Sequence, residues 1–84
     1  MKKQEIRNNA KYNALDNKLY DYVQQLVVDN WYKKIDTELA VQTFHQDNID
    51  DINEVCDELN LGEDISSLID CMKETANVAN HRGE

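Results

Sequence analysis

The stretch DNIDDINEVCDELNLGED, residues 47–64, holds eight carboxylates and no Lys, Arg or His. Ile49, Ile52, Cys56 and Leu59 recur through it at steps of three and four residues. This spacing predicts an amphipathic helix over about 49–60 with an apolar inner stripe and an acidic outer surface. Asp47 or Asn48 can cap its start. Asn60-Leu61-Gly62 reads as its stop, with Asn60 or Gly62 able to turn left-handed and Leu61 tucked beneath.

The same periodicity extends outward in both directions. On the C-terminal side, Ile65, Leu68 or Ile69, Met72, Ala76 and Ala79 predict a last helix over about 65–79, capped by Asp64. It forms an antiparallel hairpin with the acidic helix, and residues 80–84 fray. On the N-terminal side, Asp36 or Thr37 can cap a helix over about 37–45 carrying Leu39, Ala40 or Val41, and Phe44. Further back, Tyr12, Leu15, Leu19, Tyr22, Val23, Leu26 and Asn30 share one face, with Ile6 and Ala10 leading in. They predict a long first helix over about 4–33, either a continuous spine or one broken near 13–17. Asn8, Asn9, Asn13, Asp16 and Asn17 weaken it there, because short polar side chains compete for backbone hydrogen bonds. The patch Leu26, Val27, Val28, Trp31, Tyr32 is too broad for one stripe and predicts burial on more than one side.

With no proline and no alternating β-rich run, the fold class is all-α. A long first helix packed by three shorter ones forms one domain over 1–84. A chain this short has a narrow stability margin.

Charge separates along the sequence. Residues 1–35 carry seven basic and four acidic groups, whereas residues 36–84 carry two basic and thirteen acidic ones. That polarity favours a basic partner and disfavours nucleic acid or an anionic membrane at the acidic part. No segment approaches the roughly 18–20 apolar residues of a membrane span. The N-terminal MKKQEIRNNAKYNALDNK lacks the apolar core of a signal peptide. A cytoplasmic protein with Cys56 and Cys71 as free thiols is expected.

Several chemistries conflict with the acidic run. A calcium loop from Asp47 puts Ile49 at its third position and Ile52 at its sixth; one from Asp57 has Gly62 at the sixth but Leu59 at the third. His45, Cys56, Cys71 and His81 lack the spacing of a metal site, and His45 reads as a helix-end surface histidine. No serine or cysteine sits in a nucleophile elbow, and convex solvated acids are poor general acids. No cofactor, metal or catalytic residue is expected. A DNA-reading role for 49–60 would set Asp50, Asp51, Glu54, Asp57 and Glu58 against phosphates.

An acidic helix can simply be a solvated face. Asp47 to Asp51, Asp50 to Glu54 and Glu54 to Glu58 are nonetheless like-charge pairs at i,i+4, each costing about 0.2–0.5 kcal/mol. Engagement of a basic partner would account for that cost. The expected contacts are Asp50, Asp51, Glu54, Asp57 and Glu58, with Asp47, Glu63 and Asp64 at the rim and Trp31 and Tyr32 as aromatic anchors. In size and charge the chain resembles small acidic inhibitors among phage antagonists of bacterial nucleases and defence complexes, and among immunity proteins. That likeness implies occupation of a basic, nucleic-acid-binding groove. The alternative is a homodimeric structural or regulatory subunit joined through Tyr12, Leu15, Leu19, Tyr22 and Leu26.

Overall fold

The computed structural model describes residues 2–31, 33–62 and 65–82, with the backbone alone at residues 2 and 82. They form five helices: α1 (Lys2–Arg7), α2 (Ala10–Asp29), α3 (Thr37–Asp47), α4 (Ile49–Glu58) and α5 (Ile65–Arg82). The all-helical architecture, with one long helix packed by shorter ones, is the expected one.

The first helical region differs in detail. It breaks at Asn8–Asn9, neither running unbroken from 4 to 33 nor parting near 13–17. Asn9 is extended, and its side chain accepts the Tyr12 N–H at 2.9 Å, which starts α2 afresh. The second polar cluster does not interrupt α2, because its central acid bonds elsewhere. Asp16 Oδ1 accepts from the Tyr12 hydroxyl at 3.0 Å and from the Thr75 hydroxyl at 2.6 Å. Asn13 and Asn17 face solvent. Burial, then the Asp16 charge, pushes the Tyr12 phenol well above its usual range, so it stays protonated and donates.

At its other end α2 stops at Asp29, not near 33. The Asn30 N–H bonds to Leu26 O and Val27 O, and Trp31 turns left-handed with φ of 58°. Of the broad patch, Val27 is buried and Leu26 half-buried, while Val28 and Trp31 are exposed. Among the described residues of the patch, burial on two sides does not occur. Tyr32 lies outside the described residues.

Tyr12, Leu15, Leu19, Val23 and Val27 form the buried stripe of α2. Ile6, Ala40, Val41, Phe44, Ile52, Val55, Leu61, Leu68, Cys71, Met72, Ala76 and Ala79 complete the core. The tilted rings of Tyr22 and Phe44, 5.9 Å apart, join α2 to α3. Asp36 caps α3 through the Leu39 N–H, but Leu39 itself points to water. Asn60 and Gly62 are both left-handed, and Leu61 is buried beneath them, as expected. The Asp64 cap lies outside the described residues.

The last two helices run antiparallel, as expected, but do not pack on each other as a hairpin. Both lie chiefly on α2, from different sides. Bonds from Asp16 to Thr75 and from Gln24 to Ala79 show α5 running parallel to α2. Asn9 and Lys11 meet Glu58 and Glu54, so α4 runs antiparallel.

α5 continues to Arg82 rather than fraying from residue 80. Asn80 is buried; its Oδ1 accepts the Ile35 N–H and its Nδ2 donates to Ile35 O, both at 3.0 Å. Gly83 and Glu84 lie outside the described residues. Both cysteines are free thiols, Cys71 buried and Cys56 half-buried. No helix among the described residues is long and apolar enough to cross a membrane.

Candidate functional site

α4 exists because Ile52 and Val55 are fully buried, with Cys56 and Leu59 half-buried beside them. Ile49, placed on the inner stripe by spacing, is exposed instead, and Val55 takes the central place. Asn48 stands at the C-cap of α3 and the N-cap position of α4, but its side chain donates to Phe44 O at 3.0 Å and makes no capping bond to α4, unlike the expected cap. The acidic helix is therefore jointed directly onto α3.

Asp47, Asp50, Asp51, Glu54, Asp57 and Glu58 are all exposed, as an acidic outer face requires. They do not form one uniform face. At 100° per residue, Asp50 and Asp57 point directly away from Ile52 and Val55. Asp51, Glu54 and Glu58 lean toward α2. There Lys11 Nζ sits 2.9 Å from Glu58 and 3.5 Å from Glu54, and Asn9 Nδ2 donates to Glu58 at 3.2 Å. The Lys11 and then the Asn9 hydrogen bonds hold the Glu58 carboxyl below its usual range, and Glu58 in turn raises Lys11. Glu63 and Asp64 lie outside the described residues.

This contact changes the electrostatics implied by the sequence. The acidic run lacks a neighbouring cation only along the chain; in space α2 supplies one. Lys3 and Arg7 on α1 likewise meet Glu74 on α5, at 3.4 and 3.3 Å. The basic N-terminal part and the acidic remainder are folded against each other. Asp47, Asp50, Asp51 and Asp57 are left without an ion pair among the described residues. Helix position separates two of these further. Asp50 sits in the first turn of α4, where the helix dipole favours a carboxylate, and Asp57 in the last, where it opposes one.

Trp31 is 85 % exposed and occupies the left-handed position that follows the C-cap of α2. Glycine or asparagine normally fills that place, and the equivalent turn after α4 does use Asn60. A bulky residue there carries strain on the order of 1 kcal/mol. Trp31→Gly is accordingly expected to raise stability by about 1 kcal/mol in urea unfolding. A loss of stability would mean that the indole packs onto the fold.

The other expected functional features are placed differently. Tyr12, Leu15 and Leu19, offered for a dimer, are buried in the chain's own core. Tyr22 and Leu26, the other two, are half-buried. His45 lies in the last turn of α3, at the helix end as expected, but half-buried, with Nε2 enclosed and unbonded among the described residues. Among the described residues no three His, Cys, Asp or Glu side chains converge as metal ligands. Lys11 was not legible as a site residue, because its partners lie far along the chain and nothing in local spacing joins them. No family model matches the chain, and neither the curated proteins nor the solved structures contain a match to it.

Proposed function

We propose that this chain is a small acidic protein-binding module that docks the outward side of α4 on a basic surface of a partner protein. The observation that carries the reading is the division of the acidic face. Glu54 and Glu58 are engaged by Lys11, whereas Asp50 and Asp57 project from the opposite side of α4 to its buried residues, without an ion pair among the described residues. Asp57 in addition opposes the dipole of its own helix. Asp47 and Asp51 extend the negative surface, and the exposed Trp31 offers an aromatic anchor.

Paired carboxylates on a rigid helix attract Lys- and Arg-rich surfaces at long range and fix their register on contact. Where that surface is a nucleic-acid groove, the chain becomes a competitive inhibitor by occupying it. The free thiols of Cys56 and Cys71 fit a reducing compartment such as the cytoplasm.

The test is capture from the source cells on immobilised protein, followed by titration of the purified partner at increasing ionic strength. A partner with a basic surface is expected, with affinity falling steeply once the screening length drops below about 8 Å. A partner lacking a basic surface, or an affinity indifferent to salt, overturns the proposal.

A further inference from the structure

One line of residues along α2 faces α3 and α4 and is exposed or half-buried except at the buried Leu15. Lys11, Leu15, Lys18, Tyr22, Leu26 and Asp29 follow at three- and four-residue steps, in line over about 27 Å of helix. α4 walls the first half of this line with Asp51 and Glu54, and α3 walls the second half. The acidic helix and the α2–α3 seam therefore share one side of the molecule.

Along the second half the seam opens into a groove of about 420 Å³. Tyr22, Leu26 and Ile35, all half-buried, line it together with Leu39, which is 59 % exposed. A single exposed leucine is ordinary. Here it completes a concave apolar surface bordered by two acids. Gln25 Nε2 donates to Asp29 Oδ1 at 2.9 Å, and the Leu39 N–H donates to Asp36 Oδ1 at 3.2 Å. The fold thus uses each carboxylate through a neutral donor, and neither has an ion pair among the described residues. Lys33 and Lys34, in the connecting loop, are not among the lining residues. Trp31 directly follows Asn30, which does line the groove.

We infer that this groove receives a partner segment carrying aliphatic side chains between Lys or Arg residues. The aliphatic groups displace water over Tyr22, Leu26 and Leu39, and the basic groups meet Asp29 and Asp36. An apolar lining gives affinity while paired acids at its border give sign selectivity. Trp31, one residue from the lining, closes over the segment and loses its exposure. The inference rests on the proposal of a basic partner, and adds an apolar contact that charge alone does not require.

Trp31 is the only tryptophan in the chain, so its emission reports this site alone. The probe is an amphipathic helical peptide of leucine and lysine, titrated into the full chain, with a version carrying serine for leucine as control. A saturable blue shift is expected with the leucine peptide only. Leu39→Gln, exposed and therefore compatible with the fold, weakens binding about tenfold, the worth of losing most of one aliphatic contact. Val78→Gln, an apolar change on α5 at a residue that is also exposed, leaves the titration unaltered. Replacing Asp29 and Asp36 by asparagine, which keeps the α3 cap, weakens binding and flattens its salt dependence.

Binding without a Trp31 shift, indifferent to Leu39→Gln, overturns the groove while leaving the acidic α4 surface as the whole site. A blue shift that grows with chain concentration in the absence of peptide assigns the groove to a second copy, and overturns the inference too. No binding of the leucine peptide at all overturns it as well.

Discussion

Asn80→Ala is expected to lower the unfolding free energy by about 2–4 kcal/mol, read as a drop in the urea midpoint. The side chain both accepts from and donates to Ile35, and so satisfies both polar groups of one peptide position in the loop between α2 and α3. The other backbone bonds of the described loop residues are local to its two ends: Trp31 N–H to Val28 O at 3.1 Å and Lys33 N–H to Asn30 O at 3.2 Å on the α2 side, and Ala40 N–H to Asp36 O at 3.0 Å on the α3 side. Truncation leaves an N–H and a C=O unpaired, each costing about 1–3 kcal/mol. The site lies near the end of α5, where water can partly replace the side chain, and the range is set below the full sum for that reason. Asn80→Asp discriminates the two bonds: it keeps the acceptor for the Ile35 N–H but turns a carboxylate toward Ile35 O. Its loss falls between those of wild type and alanine only if the Ile35 N–H bond contributes. A change below about 0.5 kcal/mol for alanine would mean that the loop holds itself.

Ile52→Ala is the second large effect, also about 2–4 kcal/mol. Ile52 and Val55 are the two buried residues of α4, a helix of 10 residues. A helix that short has no stability of its own in water, so its attachment to α2 maintains it. The cavity left by Ile52 removes about half of that attachment, and the lost stability is expected to be local as well as global. Hydrogen exchange should show the amides of α4 opening before those of α2 and α5. Equal loss of protection in all three would instead make α4 part of the global folding unit.

Most of the fold was legible in residue spacing, because apolar positions repeat at helical steps and the stops carry their own chemistry. Asp36 at the start of α3, and Asn60 and Gly62 after α4, do what short polar side chains and glycine do. What escaped sequence inspection depends on contacts between distant residues. The polar stretch from Asn8 to Asn17 weakens the first helix, and spacing alone places the alternative break near 13–17, not at Asn9. Asn9 breaks the helix because it caps Tyr12, whereas Asp16 is claimed by Tyr12 and Thr75. The end of α5 looked like a tail because nothing near Asn80 in sequence announces Ile35 as its partner.

The candidate surface divides along the same line. Exposure of the five acids of α4 followed from its helical wheel, since Ile52 and Val55 claim the inward side. Their unequal status did not follow, because Lys11 comes from another helix. Trp31 shows a further limit of pattern alone. A dense apolar patch has the same spacing whether it is buried on two sides or ends in an exposed residue, and only the backbone turn at Asn30 and Trp31 separates the cases.

The central claim is that Asp50 and Asp57 meet a basic partner, and reversing both to lysine tests it with little disturbance to the fold. Lysine at 50 loses a favourable interaction with the helix dipole and lysine at 57 gains one, each worth about 0.3–1 kcal/mol, so the two effects nearly cancel. Neither carboxylate has an internal ion pair to lose among the described residues. The measurement is the affinity of the Asp50→Lys/Asp57→Lys protein for its natural partner, beside its urea midpoint. The account predicts a midpoint close to wild type and binding at least about tenfold weaker, equivalent to roughly 1.4 kcal/mol. Undiminished affinity in a variant with an unchanged midpoint would contradict it.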